Sequence, residues 1–243
     1  MRCLRRTVLL TALIAVCVAP IANADSGPGD DQSARASRVT PATSFDGSTG
    51  PELLAEWFSQ LLALPPAVNP IADSGDGCLR LGQKGRILAP VNGFNRTTIA
   101  CTVEASRPVF IVATDADCST AEEEPFHAEG AAAQAACALQ QLQLLVPNVP
   151  SITVAVDGGA PVEIRDEAFV VVSPQGQTVF PDDAIFEPSA GGPATFAGAA
   201  WAAKVHGLSR GPHTIVVHYT FAGIAIDGLT ATFNLDAVGG HGG

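Results

Sequence analysis

Residues 206–221 read HGLSRGPHTIVVHYTF, and this stretch decides the fold class. A Gly-Pro turn is followed by a run in which apolar and polar side chains alternate. Successive side chains of a strand point to opposite faces of its sheet, so His213 shares a face with Ile215. His218 lies on the opposite face, and the two histidines therefore cannot bind one metal ion from this strand. The pattern predicts a half-buried strand and no metal site.

Similar short β-prone runs, broken by turn residues, occupy most of the chain around this strand. ITVAVDGGAPVEI predicts a hairpin that turns at Asp157, Gly158 and Gly159, because glycine accepts positive φ. Further strands are expected in RILAP, TTIACTV, PVFIVAT, AFVVV, residues 195–205 and residues 228–238. The fold class is therefore mainly β, an antiparallel β-sandwich of jelly-roll or immunoglobulin-like type. A doubly wound α/β fold is disfavoured, because strands and helices do not alternate.

Two helices are expected within this β-rich chain, one at its N-terminal end and one inserted mid-chain. Residues 51–66, PELLAEWFSQLLALPP, begin with a proline suited to the first helical turn and end at a proline pair. The second helix is expected at residues 128–145, which are rich in Ala, Gln and Leu. The first helix is expected to dock onto the core through an apolar face formed by Leu53, Leu54, Trp57, Phe58, Leu61 and Leu62. A binding stripe formed by its aromatic pair, Trp57 and Phe58, is the less favoured alternative.

The N-terminus carries the features of a secretory signal peptide. Three arginines precede an apolar run that is too short to span a bilayer, and Ala-Asn-Ala forms a small-x-small cleavage site. Cleavage after Ala24 would make Asp25 the first residue of a secreted protein, with a short membrane anchor as the alternative. The predicted organisation is a signal peptide (1–24), a disordered leader (25–48), one β-rich domain (49–238) and a flexible tail (239–243).

Charge limits the possible partners of the mature chain. Residues 1–24 contain three arginines and no acid, which leaves 10 basic against 24 acidic residues and a formal charge of −14. An acidic surface repels phosphate backbones, so nucleic-acid binding is disfavoured. No further apolar run is long enough to cross a membrane. Only two of the 13 basic residues are lysines, which is typical of a GC-rich bacterial coding bias.

Four cysteines remain after cleavage, at Cys78, Cys101, Cys118 and Cys137. An even number of cysteines in an exported protein predicts two disulfides. None of their spacings matches a zinc-binding Cys-x2-Cys or Cys-x4-Cys pair. Spacing alone leaves all three disulfide pairings open.

The segment ATDADCSTAEEE is the densest group of potential functional side chains. Asp115, Asp117 and Glu122 could contribute oxygen ligands to calcium, although no calcium-loop motif is present. Ser119-x-x-Glu122 is also a capping-box pattern, and a solvated acidic face is the favoured interpretation. Trp201 is expected to be the best exposed aromatic for ligand contact. These four residues are the weak candidates for binding, and no catalytic residue, metal or cofactor is assigned.

Two classes of function remain open. The favoured hypothesis is a non-catalytic envelope or extracellular module, interacting or structural, whose partner is unknown and could be a glycan. The alternative is a secreted hydrolase that acts on glycans through two carboxylates, which would need to lie about 5–10 Å apart. Motifs such as Gly-x-Ser-x-Gly and His-Glu-x-x-His are absent.

The order of several short motifs resembles a family of uncharacterised secreted bacterial proteins. These are Trp57, then Asn69-Pro70, CLRLGQKGRILAP, CTVEASRPVFIV, VAVDGGAPVEI and GLSRGPHTIVVHY. The likeness covers roughly residues 55–238 and implies a compact secreted domain, with no activity or catalytic residues attached. It also implies a Cys78–Cys101 disulfide, with Cys118–Cys137 as the remaining pair.

Overall fold

The computed structural model describes residues 37–185, 191–222 and 228–239. The predicted signal peptide and its cleavage site, residues 25–36 of the leader, and residues 240–243 of the tail lie outside the described residues. Within the described ranges, no helix is both long enough and apolar enough to cross a membrane.

Fourteen strands and two α-helices make up the described fold. In chain order they are β1 (Val39–Pro41), β2 (Ser44–Phe45), β3 (Ser48–Thr49), α1 (Gly50–Leu62), β4 (Cys78–Leu81), β5 (Ile87–Pro90), β6 (Thr98–Glu104), β7 (Val109–Ser119), α2 (Ala131–Leu145), β8 (Ser151–Val156), β9 (Val162–Glu163), β10 (Val170–Val172), β11 (Gly176–Phe180), β12 (Gly192–Val205), β13 (Gly211–Thr220) and β14 (Leu229–Val238).

The strands form two main sheets around a common core. One sheet has the order β1-β12-β7-β5-β4, with β10 and β11 also paired to β12, and the other has the order β6-β14-β13-β8-β9. Most pairs are antiparallel, whereas β5–β7 and β6–β14 are parallel. Ile111 and Trp201 of the first sheet share an apolar core with Ile215 and Phe233 of the second. The predicted mainly β, sandwich-like fold with two helices is confirmed.

Helix α1 covers the outer face of the seven-stranded sheet. Thr49 accepts from the Glu52 backbone N–H, while the Glu52 carboxylate accepts from the Thr49 N–H, so a capping box starts the helix. All six apolar residues of the predicted face are buried, which confirms docking. A Cβ at Gly198 on β12 would overlap the Phe58 ring. Glycine at this position therefore allows the helix to approach the sheet closely.

Helix α2 packs on the other side of that sheet. Ala138 and Leu142 enter the core between the sheets. The side chain of the fully buried Gln134 donates to the Thr195 carbonyl at 2.8 Å and accepts from Gln175 at 2.8 Å. These bonds satisfy a polar group whose burial would otherwise be unfavourable, and they hold α2 against β12.

Two disulfides join different layers of the fold. Cys78–Cys101 connects β4 of the first sheet to β6 of the second, with Cα atoms 5.7 Å apart. Cys118–Cys137 connects β7 to α2, with Cα atoms 6.0 Å apart. Both pairings agree with those implied by the family resemblance. Each cross-link stabilises the fold mainly by restricting the unfolded chain, by about 2–4 kcal/mol.

The boundary predicted between leader and domain at residue 49 is too late. Val39 is buried and pairs with Val205, which makes β1 an edge strand of the seven-stranded sheet. Ala42 is buried beneath α1, and β2 and β3 form a short hairpin just before the helix. This segment is mostly polar in composition, and composition alone therefore did not indicate that Val39 and Ala42 contact the core.

Candidate functional site

A β-bulge in β7 determines where the acidic segment points. Trp201 of β12 pairs with Thr114. The next residue of β12, Ala202, pairs with Val112, so Ala113 is the extra residue of the bulge. A bulge inserts one residue into one strand only and thereby shifts the alternation of side chains that follow it.

The shift moves two carboxylates from one face of the sheet to the other. Before the bulge, the odd-numbered residue Ile111 faces the second sheet. After the bulge, Asp115 pairs with Ala200 and Asp117 pairs with Gly198, which both lie beneath α1. Directly opposite residues share a face, so both aspartates point toward α1. Uninterrupted alternation would instead have placed both carboxylates in the apolar core between the sheets.

Tyr219 of β13 contacts the bulge from inside the sandwich. Its hydroxyl donates a 2.7 Å hydrogen bond to the Ala113 carbonyl. Burial raises the pKa of the Tyr219 phenol, and the charge of Asp115 contributes in the same direction. The hydroxyl is therefore a stable donor at physiological pH, and its bond satisfies a backbone carbonyl at the interruption of the ladder.

A pocket of about 580 Å³ opens beside the bulge between α1 and α2. Among the described residues, β5 pairs with β7 only at Leu88 and Val109, so the rest of this strand edge is available to line a cavity. We call this cavity the edge pocket. Its apolar walls consist of Trp57, Phe58, Leu61, Leu62, Ile71, Ala116, Pro125, Phe126, Leu144 and Leu145, and its polar residues are Asp115, Asp117, Glu122, Glu123, Glu124 and Gln141.

The three inner carboxyl groups of the edge pocket are poorly solvated. Burial raises the pKa of Asp115 to about 7. The pKa of Asp117 lies well above its ordinary value, first because of burial and second because of the charges on Glu122 and Asp115. Burial also raises the pKa of Glu122, against the opposing effect of hydrogen bonds from Ser119. Close carboxyl groups in such surroundings cannot all ionise without a large electrostatic cost.

Several polar atoms of the pocket lack partners. Asp117 and Glu122 are only partly covered as residues, but Oδ2 of Asp117 and Oε2 of Glu122 are enclosed and have no hydrogen-bond partner among the described residues. The indole N–H of Trp57 is likewise buried and unpartnered, in a wall residue that is 4% exposed. Buried polar groups in proteins are nearly always satisfied, so three unsatisfied groups around one cavity point to a ligand.

The described residues lining the edge pocket include no Lys, Arg or His. The carboxyl groups therefore have no counterion within the wall. At the mouth, Phe126 and Leu144 expose apolar surface, with 42% and 60% of each residue accessible. The pocket thus combines an acidic interior, apolar walls and an apolar rim.

The predicted solvated acidic face is wrong for Asp115, Asp117 and Glu122, which face the pocket; only Glu123 and Glu124 are exposed. Ser119 Oγ accepts from the backbone N–H of Glu122 at 3.2 Å, as in the capping-box pattern, but no helix follows.

Trp201, expected to be exposed, is buried. It is 4% exposed and lies in the core between the two sheets. An aromatic residue enclosed by both sheets cannot contact a ligand at the surface. The tryptophan that lines a cavity is Trp57, for which the sequence pattern favoured core packing over a role in binding.

Of the three histidines in residues 206–221, His213 belongs to a polar cluster that is separate from the edge pocket. Asp157 accepts from His213 Nδ1 at 2.8 Å, from the Thr214 backbone at 2.9 Å and from Arg38 at 2.5 Å. His213 Nε2 lies 2.9 Å from the Ser209 carbonyl oxygen. The Asp157 carboxylate can only accept, so Nδ1 is a donor, and the contacts of the two ring nitrogens tie the turn at Ser209 to the sheet.

His218 lies on the outward face of β13, opposite His213 as predicted, and contacts Thr230 Oγ1 at 3.0 Å. Across the described ranges, no group of three or more His, Cys, Asp or Glu side chains has a metal-binding arrangement.

Neither a protein-family model nor a curated protein matches the chain. Among solved structures, the chain is similar to a family 123 glycoside hydrolase from Clostridium perfringens, which was analysed for the details of glycolipid glycan hydrolysis. The identity is 9%, the TM-score is 0.24, and the match covers 68% of this chain and 27% of the hydrolase. The chain thus spans about a quarter of that enzyme's length, and a likeness this weak carries no functional argument.

Proposed function

We propose that this protein is a non-catalytic extracellular binding module that holds a small amphipathic molecule in the edge pocket. The observation that carries the proposal is the cavity of about 580 Å³, in which unsatisfied Asp117, Glu122 and Trp57 atoms lie among apolar walls. Ligand sites are typically concave and mostly apolar, with a few polar groups that orient the ligand.

An extracellular location is part of the proposal. It rests on the signal-peptide features of residues 1–24 and on two disulfides that persist only in an oxidising compartment. The partner would then be a molecule of the cell envelope or the medium. Apart from the acids and the indole N–H of Trp57, the only polar side chain among the described lining residues is Gln141, which already donates to the Pro125 carbonyl at 2.9 Å. Because most of the described lining residues are apolar, the pocket favours an amphipathic ligand over a glycan.

Titration with the neutral apolar dye N-phenylnaphthylamine tests this function. We expect saturable fluorescence enhancement with one site per chain and at least about tenfold weaker binding for Phe126→Asp at the pocket rim. Phe94→Asp is the matched control, because Phe94 is 66% exposed and lies outside the edge pocket. Equal dye binding by both variants would refute the pocket as the ligand site.

A glycan hydrolase is a second candidate, and one observation favours it. Asp115 and Asp117 share one face of a strand, and burial raises the pKa of both carboxyl groups. A protonated carboxyl group beside an ionised one is the arrangement needed for general acid catalysis of glycoside cleavage. Incubation with labelled oligosaccharides should then release reducing ends, and Asp115→Asn should abolish the release. Absence of cleavage across neutral and anionic glycans would leave the binding function alone.

A further inference from the structure

We propose that the ligand of the edge pocket is an organic cation, an ammonium group on an apolar body. The inference rests on the proposed binding function and specifies the chemistry of the ligand. It follows from the arrangement of charge and apolar surface around the cavity.

Charge complementarity is the first step. Asp115, Asp117 and Glu122 line the cavity without any Lys, Arg or His among the described lining residues. Elsewhere in the described fold, acidic groups that form several contacts have cationic or backbone donors, as Asp157 has Arg38 and His213. An ammonium ion would supply the cationic donor that the carboxyl groups of Asp117 and Glu122 lack.

The apolar walls define the rest of the ligand. Four residues of α1 and two leucines of α2 line the cavity, and the exposed ring of Phe126 adds to this apolar surface. A small inorganic cation would leave these walls without a contact. Trp57 in the wall also offers an aromatic ring to a cationic head group.

The protonation state of the empty pocket makes binding depend on pH. The titratable residues lining the pocket are Asp115 and Asp117 of β7 and Glu122, Glu123 and Glu124 of the following loop, while α1 and α2 contribute none. Tyr219 approaches Asp115 from within the sandwich. Because the pKa values of the three inner carboxyl groups are raised, a bound cation must displace protons from them. Affinity should therefore increase as the pH rises from about 5 to about 8.

Three probes with the same chain and different head groups test the inference: decylamine, decanol and decanoate, below their micelle-forming concentrations. In calorimetric titrations at pH 7.5, we expect decylamine to bind at least about tenfold more tightly than decanol, and decanoate more weakly than both. Proton release, measured in two buffers of different ionisation enthalpy, should accompany decylamine binding only.

A variant of α2 provides the control for folding. Gln141→Arg places a fixed cation beside the acids and should remove the preference for decylamine over decanol. Gln143→Arg carries the same substitution to an exposed position on the same helix and should retain the preference.

The outcomes separate this inference from the function on which it rests. Equal binding of decylamine and decanol would overturn the cation inference and leave an apolar binding pocket intact. Failure of every probe and of the neutral dye would refute the binding function itself. Preference for decylamine that persists in Gln141→Arg would place the cation somewhere other than the edge pocket and overturn the inference.

Discussion

The carboxylates of the edge pocket and the carboxylate of the β8–β9 turn experience opposite environments in one domain. Asp157 accepts hydrogen bonds from Arg38, His213 and Thr214, and these bonds outweigh partial burial and lower its pKa. Asp115 and Asp117 lie among apolar groups, and burial raises the pKa of each. The difference shows that burial and hydrogen-bonding partners together separate a carboxylate that stabilises the fold from one available to a ligand.

The comparison also predicts opposite contributions to stability as pH changes. An acid with a raised pKa in the folded state binds protons more tightly there, so its contribution to stability is lost as pH rises through that pKa. Asp157 has a lowered pKa in the folded state, so it stabilises the fold at pH values above about 3.9, the pKa of an aspartate in the unfolded chain. This stabilisation is lost at lower pH. Stability should therefore be greatest between pH 4 and 5.

The largest expected effect is the decline of stability above that maximum. Between pH 4 and 7 the unfolding free energy of the wild type should fall by about 2–4 kcal/mol, as the pKa of about 7 for Asp115 implies. The double variant Asp115→Asn/Asp117→Asn should show a much flatter profile in urea unfolding. Glu123→Gln/Glu124→Gln, at exposed positions of the adjacent loop, is the control and should keep the wild-type slope. An unchanged slope in the aspartate variant would contradict the poor solvation of the pocket.

The second effect concerns the satisfied carboxylate. Asp157→Asn removes the charge that accepts from Arg38 and His213 and leaves the buried imidazole with a weaker acceptor. We expect the unfolding free energy at pH 7 to fall by about 2 kcal/mol, a moderate value because Asp157 is partly exposed. Urea unfolding measures the loss. A change below about 0.5 kcal/mol would show that this cluster is as weakly coupled to the fold as an ordinary surface ion pair.

Much of the fold could be predicted from the sequence, because strand alternation and turn residues act locally. The hairpin at Asp157 is an example, since Asp157 and Gly158 both adopt positive φ as the turn requires. The buried face of α1 could also be predicted from its period. In contrast, β1 lies in a segment of polar composition, and only pairing with β12 reveals why Val39 is ordered.

The site was harder to predict because a single extra residue reverses the facing of β7. Ala113 carries no local signal of a bulge, and the strand predicted at PVFIVAT ends before Asp115. The pocket also depends on α1 and α2, which are distant in sequence and approach the same strand edge. The density of acids in residues 115–124 was visible, but their burial is a tertiary property. Trp57 on α1 and Trp201 on β12 illustrate the same limit, because neither a helical period nor strand alternation distinguishes a cavity wall from a packed core.

A smaller effect is expected at the bulge that separates the two environments. Tyr219→Phe removes the hydroxyl that donates to the Ala113 carbonyl but keeps the ring in the core. The unfolding free energy should fall by about 1 kcal/mol, as for the loss of one buried hydrogen bond. Dye affinity of the edge pocket should weaken in parallel, since the bulge directs the two aspartates. A loss of stability without any change in dye binding would show that the bulge holds its geometry without Tyr219.

The smallest expected effect is that of calcium on the melting temperature. It tests whether a small inorganic cation, which has charge but no apolar body, binds to the acidic segment. Any ligand that binds only the folded state raises the free energy of unfolding, by about 2.7 kcal/mol at a hundredfold excess over Kd. For a domain of this size, that gain corresponds to a rise of several degrees in the melting temperature. Calcium requires six to eight oxygen ligands, whereas the pocket surrounds three inner carboxyl groups with apolar walls. Those carboxyl groups would also have to release protons to a small ion that gains nothing from Trp57 or the leucines. We therefore expect millimolar calcium to leave the melting temperature unchanged, while decylamine raises it. A calcium shift of several degrees that Asp117→Asn abolishes would make the acidic segment an inorganic cation site and reverse the contrast with Asp157.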